Sequence, residues 1–297
     1  MNSKLGFFDN EFSIEKKVYI LDKEDGYAKN FGKQWRDYRD IQIDSLNNFN
    51  ISELYLKKML FDDLDTLKDK TVLEIGGGAG RFTEHLANHC KLCVSVDLSS
   101  AVFHNVSKNK DNVKIIKADF IELIPKEKFD VVFCRGVLQH TPNPLISIKK
   151  LHDFVKDNGN IYFDIYRMPK IGYAHPKYFF WRPLIKTFFT YEKFEKFLKK
   201  YISSLLNIKR RINKIFFNLN FIGDIFIPIW DYQEITQLSE KQKTNWAIMD
   251  TLDGIYAYYD YPQRYKKIKK FLIREKILIS DYNKEINAFK TKKQEIN

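Results

Sequence analysis

The chain has 297 residues, of which 44% are hydrophobic and 30% are charged, and its formal net charge at pH 7 is +12. This balance is typical of a globular protein with a sizeable core, and it excludes a disordered or fibrous chain. No run of 18 uncharged apolar residues occurs and the first residues lack the apolar stretch of a signal peptide, so we expect a cytoplasmic protein.

The three cysteines, Cys90, Cys93 and Cys134, are too few and too closely grouped for a disulfide framework, which fits a reducing compartment. Cys90 and Cys93 form a CxxC pair, but a zinc or redox role would need partner ligands or a thioredoxin-like context. We therefore interpret the pair as packing residues and expect no metal site.

Short apolar runs alternate with polar, periodic segments from about residue 71 onward, which indicates an α/β protein with a parallel sheet. Residues 1–54 are predicted to form a helical N-terminal extension or lid, and residues 55–168 the core. The predicted strands, with helices between them, are Thr71–Ile75, Leu92–Asp97, Val113–Ala118, Phe129–Cys134 and Asn160–Tyr166.

The first predicted strand ends in the glycine-rich turn GGGAG, which leads into a helix. Glycine permits positive φ and lets a ligand lie against the backbone, near the free N–H groups of a helix start. The dinucleotide pattern GxGxxG fails, because its third glycine would fall on Arg81. The spacing Glu74-x-Gly76-x-Gly78-x-Gly80 instead favours a turn that holds an amino acid moiety.

Carboxylates close the next two predicted strands. Asp97 ends the second strand, where a carboxylate can accept hydrogen bonds from both hydroxyls of a ribose. Asp119 ends the third strand and precedes Phe120, a pair suited to an adenine amino group and the adenine face. A dehydrogenase has no use for this second acid. The alternative role of either acid is a helix cap, especially for Asp97 before two serines.

The fourth predicted strand continues into the loop GVLQHTPNP. His140 in this loop is the candidate general base, and the alternative is a histidine that only hydrogen-bonds the loop. Asn143 and Pro144 predict a helix start, because asparagine caps free N–H groups and proline suits the first helical position.

Residues 169–261 are predicted to form a helical insertion, rich in aromatic and basic residues, that acts as a lid over a bound substrate. Between Lys170 and Trp230, 12 Lys/Arg residues face three acidic residues. Such a surface is either solvated or binds a membrane or a nucleic acid. An amphipathic stretch in it, which we interpret first as core packing, contains Phe188, Phe189, Phe194, Phe197 and Leu198.

Residues 262–297 are predicted to complete the sheet. Pro262 to Glu275 has a helical pattern, and Lys276–Asp281 and Ile286–Lys290 read as two closing strands joined by a polar turn.

The ordered series EIGGGAG, Asp97, ADF and FDVVFCRGVLQHTPNP resembles the successive motifs of class I S-adenosylmethionine-dependent methyltransferases. The resemblance implies a Rossmann-like, doubly wound sheet of seven strands with the last one antiparallel. It implies S-adenosyl-L-methionine as cofactor, S-adenosyl-L-homocysteine as product, and no metal. The implied cofactor-binding residues are Glu74, Gly76, Gly77, Gly78, Gly80, Asp97, Leu98, Asp119, Phe120, Arg135 and Gly136.

Two further strings, NFGKQWRDYRDIQIDS and MDTLDGIYAYYDYPQ, resemble signatures of a bacterial subgroup with the usual forms FGxQWxxFxxTQLDS and LDTFDxxSPxYDxPQ. Tyr256 and Ala257 depart from the usual Ser-Pro, and the cysteine-rich zinc ribbon of many members is missing, so substrate choice can differ. Candidate acceptor residues are Gln34, Trp35, Gln139, Tyr166, Asp250, Asp253 and Tyr259.

Members of the subgroup resemble enzymes acting on sugars, surface glycans or other small metabolites. The first hypothesis is therefore methyl transfer to a hydroxyl or amine of a small molecule or glycan precursor. The alternatives are an RNA methyltransferase that uses the basic insertion, although no NPPY-like motif or RNA-binding module occurs, and a non-catalytic protein that binds a membrane surface or a partner.

Overall fold

The computed structural model describes residues 3–215 and 220–293. Its strands are β1 (Ser3–Lys4), β2 (Glu11–Glu15), β3 (Val18–Ile20), β4 (Thr71–Ile75), β5 (Leu92–Asp97), β6 (Val113–Lys117), β7 (Phe129–Cys134), β8 (Val155–Asp164), β9 (Ile277–Asn283) and β10 (Ala288–Lys293). Its α-helices are α1 (Lys29–Asp37), α2 (Arg39–Gln42), α3 (Ile51–Met59), α4 (Thr83–His89), α5 (Pro144–Leu151), α6 (Arg182–Phe188), α7 (Tyr191–Ile215), α8 (Asn220–Phe226), α9 (Glu240–Tyr256) and α10 (Tyr265–Arg274).

The strands of the described residues form a ten-stranded sheet in the order β1-β2-β3-β6-β5-β4-β7-β8-β10-β9. The run from β3 to β8 is parallel, whereas β10 is antiparallel to both β8 and β9. The chain moves outward from β4 to β5 and β6 and then crosses back to β7, so the order reverses beside β4. Open α/β sheets bind ligands at this reversal, outside the carboxyl ends of the strands.

The prediction of seven strands and a helical N-terminal extension is wrong at the N-terminus, where β1, β2 and β3 precede the first α-helix. Strands β2 and β3 form a hairpin that turns at Lys16 and Lys17, with φ angles of +50° and +68°. Two-residue hairpin turns need positive φ and usually announce it with Asn-Gly. A Lys-Lys turn carries no such signal, so sequence patterning missed the hairpin.

The expected helices are present between β4 and β5 and between β7 and β8. The connections from β5 to β6 and from β6 to β7 contain no α-helix. A short 3-10 helix, Ser100–His104, connects β5 to β6, and turns connect β6 to β7. The N-terminal segment pairs with these turns, since the N–H of Asp9 donates to the Ile124 carbonyl (3.0 Å). Phe8 and Phe12 are buried there against the sheet. This packing covers the sheet where the sequence predicted a helix.

Both faces of the central strands are buried. Along β4, Leu73 belongs to one apolar cluster and Val72 to another, and Val132 and Val131 divide in the same way on β7. A parallel sheet covered on both faces requires continuous apolar strands, which explains why β4, β5 and β7 match their predicted bounds.

The chain divides into two compact units. The first consists of Met1–Arg39, Ile43–Arg167 and Tyr259–Asn297, and the second of Asp40–Gln42 and Met168–Tyr258. Residues 216–219 of the predicted insertion and 294–297 of the predicted closing segment lie outside the described residues. Within the described ranges, none of the helices combines the length and hydropathy of a bilayer-spanning segment.

The second unit is helical and has its own apolar contacts. Phe194, Leu198 and Ile202 are buried along one stripe of α7. The ring of Phe194 lies 6.0 Å from that of Tyr256 on α9, centroid to centroid. An ion pair between Arg210 and Asp231 (2.8 Å) joins α7 to the chain that follows α8. The predicted helical insertion therefore includes a packed helical core.

Candidate active site

The glycine turn after β4 contains two kinds of glycine. A Cβ on Gly76 would lie 2.0 Å from Val137 Cγ2, and one on Gly77 would lie 1.9 Å from Ser95 Oγ. Gly80, at φ +99°, would bring a Cβ to 2.5 Å from Asn105 Oδ1. These three glycines are required by the protein's own packing. At Gly78, φ is +49° and a Cβ would meet only the Trp35 ring, at 3.6 Å, so this residue borders the space above the turn.

Glu74 lies beneath the turn and is buried. Its Oε2 accepts a hydrogen bond of 2.6 Å from the Thr83 hydroxyl. Burial raises the pKa of Glu74 to about 7, against the opposing hydrogen bonds from Thr83 and Ser95. In this structure the side chain links β4 to the start of α4, so its visible role is to support the turn.

Asp97 faces the turn from the end of β5. Its Oδ2 accepts from the Gly78 N–H (2.9 Å), and its Oδ1 accepts from both the N–H and the hydroxyl of Ser99 (2.7 Å each). Burial raises the pKa of Asp97 above its ordinary value, although these hydrogen bonds oppose the change. The carboxylate thus bonds Ser99 in the loop that follows β5 and also reaches the glycine turn. Leu98 follows it and is partly buried.

Asp119 follows β6 and bonds a tyrosine that the sequence analysis did not select. The Tyr27 hydroxyl donates to Asp119 Oδ2 (2.9 Å), while the N–H of Ile121 donates to Oδ1 (3.0 Å). Burial, reinforced by the negative charges of Asp119 and Asp97, raises the pKa of Tyr27 far above its ordinary value. The phenol therefore stays protonated and lies near both carboxylates. Phe120 is buried in the core beside them.

A buried lysine fixes the segment that carries Tyr27. Lys117, 1% exposed, donates to the carbonyls of Asp22 (3.0 Å), Lys23 (3.2 Å) and Glu24 (2.9 Å). Its ammonium group also lies 3.2 Å from Asp25 Oδ1. A buried ammonium group is stable only with such partners. The available signal in the sequence was a lysine at the end of the predicted strand VKIIKA, directly after two isoleucines.

Arg135 and Gly136 follow β7 and meet a buried acid that the sequence analysis also missed. The Gly136 N–H donates to Asp164 Oδ1 (2.6 Å), and Arg135 lies 3.7 Å from Asp164 Oδ2. Burial raises the pKa of Asp164, and the charge of Arg135 opposes this. Gly136 has φ +72°, and a Cβ there would meet nothing within 4 Å. The backbone at Gly136 therefore opens on free space.

His140 follows this turn and is 6% exposed. Its Nδ1 lies 2.9 Å from the backbone carbonyl oxygen of Tyr259, and because a carbonyl only accepts, the ring must donate from Nδ1. The neutral imidazole then carries its lone pair on Nε2. The rings of Phe31 and Tyr166 flank it at 4.7 and 5.4 Å between centroids.

Gln139 is fully buried beside His140. Its backbone carbonyl accepts from the Tyr261 N–H (2.8 Å), and its side-chain oxygen accepts from the Tyr166 N–H (3.2 Å). The Gln139 Nε2 atom has no hydrogen-bond partner among the described residues. Tyr259 also packs on the Tyr27 ring, 5.5 Å between centroids. The structure thus brings Gln139, His140, Tyr166 and Tyr259 together.

Apart from Asp40–Gln42, the N-terminal signature lies in the same unit. Trp35 packs over Gly78, and Gln34 is buried on the same helix, α1. Asp44 accepts from the N–H groups of Ser52 (3.0 Å) and Glu53 (2.9 Å) at the start of α3, and it lies 3.1 Å from His85 Nε2. That aspartate therefore supports the fold.

The remaining predicted acceptor residues, Asp250 and Asp253, lie on α9 in the second unit. Asp250 accepts a hydrogen bond from the Tyr232 hydroxyl. The backbone carbonyl of Asp253 accepts from the Ala257 N–H (3.0 Å) and closes the helix. Both of these hydrogen bonds join residues of the second unit.

Cys90, Cys93 and Cys134 are buried free thiols. Over residues 3–215 and 220–293, no group of three or more His, Cys, Asp or Glu residues is placed to hold a metal ion.

Residues 73–163 match a family model described as a methyltransferase domain. A ubiquinone biosynthesis O-methyltransferase of Coxiella burnetii is 33% identical over 104 residues, which cover 33% of this chain and 44% of that protein. A ubiquinone biosynthesis O-methyltransferase of Pseudomonas syringae is 30% identical over 145 residues, which cover 46% of this chain and 60% of that protein. The chain thus spans about half the length of these curated relatives.

Two solved structures are also similar. The N-methyltransferase NodS from Bradyrhizobium japonicum WM9, in complex with S-adenosyl-L-homocysteine, is 22% identical at a TM-score of 0.38, covering 45% of this chain and 74% of that one. Magnesium protoporphyrin IX methyltransferase from Synechocystis PCC 6803 is 13% identical at a TM-score of 0.47, covering 90% and 97%.

The domain match spans β4 to β8 and thus includes the glycine turn, both strand-end carboxylates and His140. Together with the curated relatives, it supports a methyltransferase domain of the class I, S-adenosylmethionine-dependent kind over residues 73–163.

Proposed function

We propose that this protein transfers the methyl group of S-adenosylmethionine to a small-molecule acceptor, namely a hydroxyl or amine of a sugar, a surface-glycan precursor or a secondary metabolite. The observation that carries the proposal is the placement of the Gly78 backbone, Asp97 and Asp119 after the carboxyl ends of the neighbouring parallel strands β4, β5 and β6, with Asp97 bonded to the Gly78 N–H. Two carboxylates beside a positive-φ glycine turn suit an adenosine and an attached amino acid.

The residues present fit this donor. Asp97 would accept the ribose hydroxyls, and Asp119 the adenine amino group, because a carboxylate oxygen can accept a second hydrogen bond. The open space at Gly136 and the loose contact at Gly78 leave the backbone accessible, whereas the other turn glycines are enclosed. Arg135, positioned by Asp164, would face the donor's carboxylate from the end of β7.

The donor supplies an electrophilic methyl carbon, so the protein mainly has to align the acceptor and exclude water. Gln139 and Tyr166 would line the acceptor pocket, and the Gln139 Nε2 is available to donate to an acceptor oxygen. Trp35 covers the glycine turn from α1 and would limit the access of water.

We infer that a hydroxyl acceptor suits the site better than an amine. An alcohol must lose its proton during transfer, and the neutral His140 ring carries its lone pair on Nε2 because Nδ1 donates to the Tyr259 carbonyl. The curated relatives are named O-methyltransferases, which supports the same choice.

Isothermal titration of the full chain with S-adenosyl-L-homocysteine tests donor binding. Asp97→Asn and Asp119→Asn should each weaken binding about 10- to 100-fold, the loss expected for a hydrogen bond to a charged group. Asp157→Asn is the matched control, since that side chain is 80% exposed on β8. Unchanged affinity in both site variants would overturn the proposal.

The acceptor class needs a separate experiment, in which the protein is incubated with methyl-labelled donor and either a small-metabolite extract or total RNA. Label in a small acceptor supports the proposal. Label only in RNA would replace it with the RNA methyltransferase alternative, for which the basic insertion is the favouring observation.

A further inference from the structure

Large apolar side chains are exposed where the second unit begins its helices. Phe179, Phe180, Leu184 and Phe188 are 63%, 46%, 37% and 70% exposed. They lie on the π-helical turn Lys177–Trp181 and on α6, which continues it. Phe180, Leu184 and Phe188 are spaced by four residues, so they share one side of this helical segment. We call these four residues the aromatic patch.

Helix α7 follows immediately and also carries exposed apolar side chains. Tyr201, Ile208 and Ile215 are 41%, 48% and 71% exposed and are spaced by seven residues, which places them along one stripe. Leu198 and Ile202, on the neighbouring side of the helix, are buried in the unit's core, and Phe194, seven residues before Tyr201, is a buried residue of the same stripe. From Tyr201 to Ile215 this stripe therefore leaves apolar side chains exposed beside the core.

Basic residues border both features. On α7, Lys193, Lys196 and Lys200 are spaced by three and four residues beside the exposed apolar stripe, and Arg211 and Lys214 follow on the same side of the helix. Residues 170–215 contain 12 Lys/Arg residues and only two acidic ones, Glu192 and Glu195. An exposed apolar stripe flanked by lysines is the chemistry of a helix that lies in a membrane interface.

We propose that the aromatic patch and the exposed stripe of α7 bind the surface of an anionic phospholipid bilayer. The apolar side chains would enter the boundary between headgroups and acyl chains, while the lysines remain with the phosphates. Each basic group near such a surface adds attraction that falls off within a Debye length. This binding does not depend on the proposed methyl transfer.

Charge favours this occupant over a second copy of the chain, because two faces with the same positive excess would repel each other. Aliphatic groups favour it over RNA. Leu184, Ile208 and Ile215 have no hydrogen-bonding groups and no ring on which a base can stack, and single-stranded nucleic acids bind mainly through stacking and phosphate contacts.

Sedimentation of the full chain with sucrose-loaded vesicles tests the proposal. We expect binding to phosphatidylcholine vesicles that contain about one third phosphatidylglycerol, and at least tenfold weaker binding to pure phosphatidylcholine. Raising the salt concentration from about 0.05 to 0.5 M should weaken the binding to the anionic vesicles, because it screens the lysines. Equal binding to both vesicle types, or none to either, would overturn the proposal.

Variants separate the two contributions. The double variant Phe179→Ser, Phe188→Ser should lose at least tenfold in vesicle binding, and so should the triple variant Lys193→Glu, Lys196→Glu, Lys200→Glu. The matched control is Ile146→Ser, whose side chain is 57% exposed on α5 of the first unit. Circular dichroism and thermal unfolding verify that each variant is folded.

The same variants also test whether a second copy of the chain or an RNA binds this surface instead. If light scattering shows a dimer that Phe179→Ser, Phe188→Ser abolishes, the face is an interface between copies and the proposal fails. It fails equally if RNA is retained and competes fully with the vesicles, or if Ile146→Ser reduces vesicle binding as much as the patch variants do. Donor titration with the patch variants should be unchanged, which keeps this test distinct from that of the proposed function.

Discussion

The Nδ1 atom of His140 lies 2.9 Å from the backbone carbonyl oxygen of Tyr259, so the C-terminal signature sets the tautomer of a histidine that follows β7. In sequence, Met168–Tyr258 of the second unit separate Tyr259 from His140, yet both residues belong to the first unit. The contact is made by main chain, which the identity of residue 259 alone does not reveal.

Replacing His140 by alanine should lower methyl transfer to a hydroxyl acceptor by about 10²- to 10⁴-fold, the usual contribution of a general base. Binding of S-adenosyl-L-homocysteine should remain within a few-fold, because the proposed donor contacts lie elsewhere. Single-turnover transfer of labelled methyl and titration measure the two effects. His89→Ala, at the exposed end of α4, is the control. Unchanged methyl transfer by His140→Ala would show that His140 only hydrogen-bonds the loop.

Removing the hydroxyl of Tyr27 by Tyr27→Phe should destabilise the protein by about 1–3 kcal/mol, because Asp119 loses a charge-assisted hydrogen bond. The penalty should be the same at pH 7 and pH 9.5, since the pKa of Tyr27 is raised far above this range. Urea unfolding measures it. Tyr19→Phe, a partly buried tyrosine that packs on Phe12, serves as the comparison. A penalty that vanishes at pH 9.5 would show that the phenol ionises.

Alanine at two glycines should separate folding from binding. Gly76→Ala should strongly lower thermal stability, because its Cβ would overlap Val137. Gly136→Ala should cost only about 1–2 kcal/mol for its positive φ, since nothing lies within 4 Å of the added methyl. The same methyl should weaken binding of S-adenosyl-L-homocysteine. Full affinity in a folded Gly136→Ala variant would mean that the ligand does not approach this backbone.

His85 should make stability depend on pH at the alkaline side. Burial alone would lower its pKa, but hydrogen bonds to Asp44 and Glu84 outweigh burial and raise the pKa from 6.5 to about 9. A raised pKa means that the folded state holds the proton more tightly, so this stabilisation is complete below pH 6.5 and is lost as pH rises through 9.

Unfolding of the protein and of His85→Gln in urea at several pH values measures this effect. The difference in unfolding free energy, on the order of 1–3 kcal/mol below pH 6.5, should shrink steadily towards pH 9 and beyond. His89→Gln, at an exposed histidine of the same helix, is the matched substitution for comparison. A difference that is constant from pH 6 to pH 10 would contradict the assignment.

Apolar continuity and glycine placement were enough to predict the centre of the fold. Strands β4, β5 and β7 have their predicted bounds, and α5 begins at Pro144 with the Asn143 side chain accepting from the Leu145 N–H (3.2 Å). Sequence patterns failed where contacts between distant segments determine the local structure. The Lys16-Lys17 turn has no local signature, and the connection from β6 to β7 lacks the expected helix because Phe8 and Phe12 cover that region.

Within the site, motif spacing found residues that lie at strand ends, including Asp97 and Asp119. It could not find Tyr27 or Asp164, whose roles arise only when distant segments meet: Tyr27 bonds a residue 92 positions away, and Asp164 bonds one 28 positions away. Side chains that hold other side chains leave little trace in local sequence, since many residue types could stand at each position.

The three carbonyl bonds of Lys117 set a lower limit on the autonomous folding unit. A truncated protein starting at Thr71 would keep every motif of the matched domain, yet it would hold an ammonium group inside the sheet with no oxygen atoms from residues 22–25 around it. Excision of the domain by sequence similarity alone would therefore yield an unstable polypeptide, and its smallest stable version has to begin upstream of Asp22.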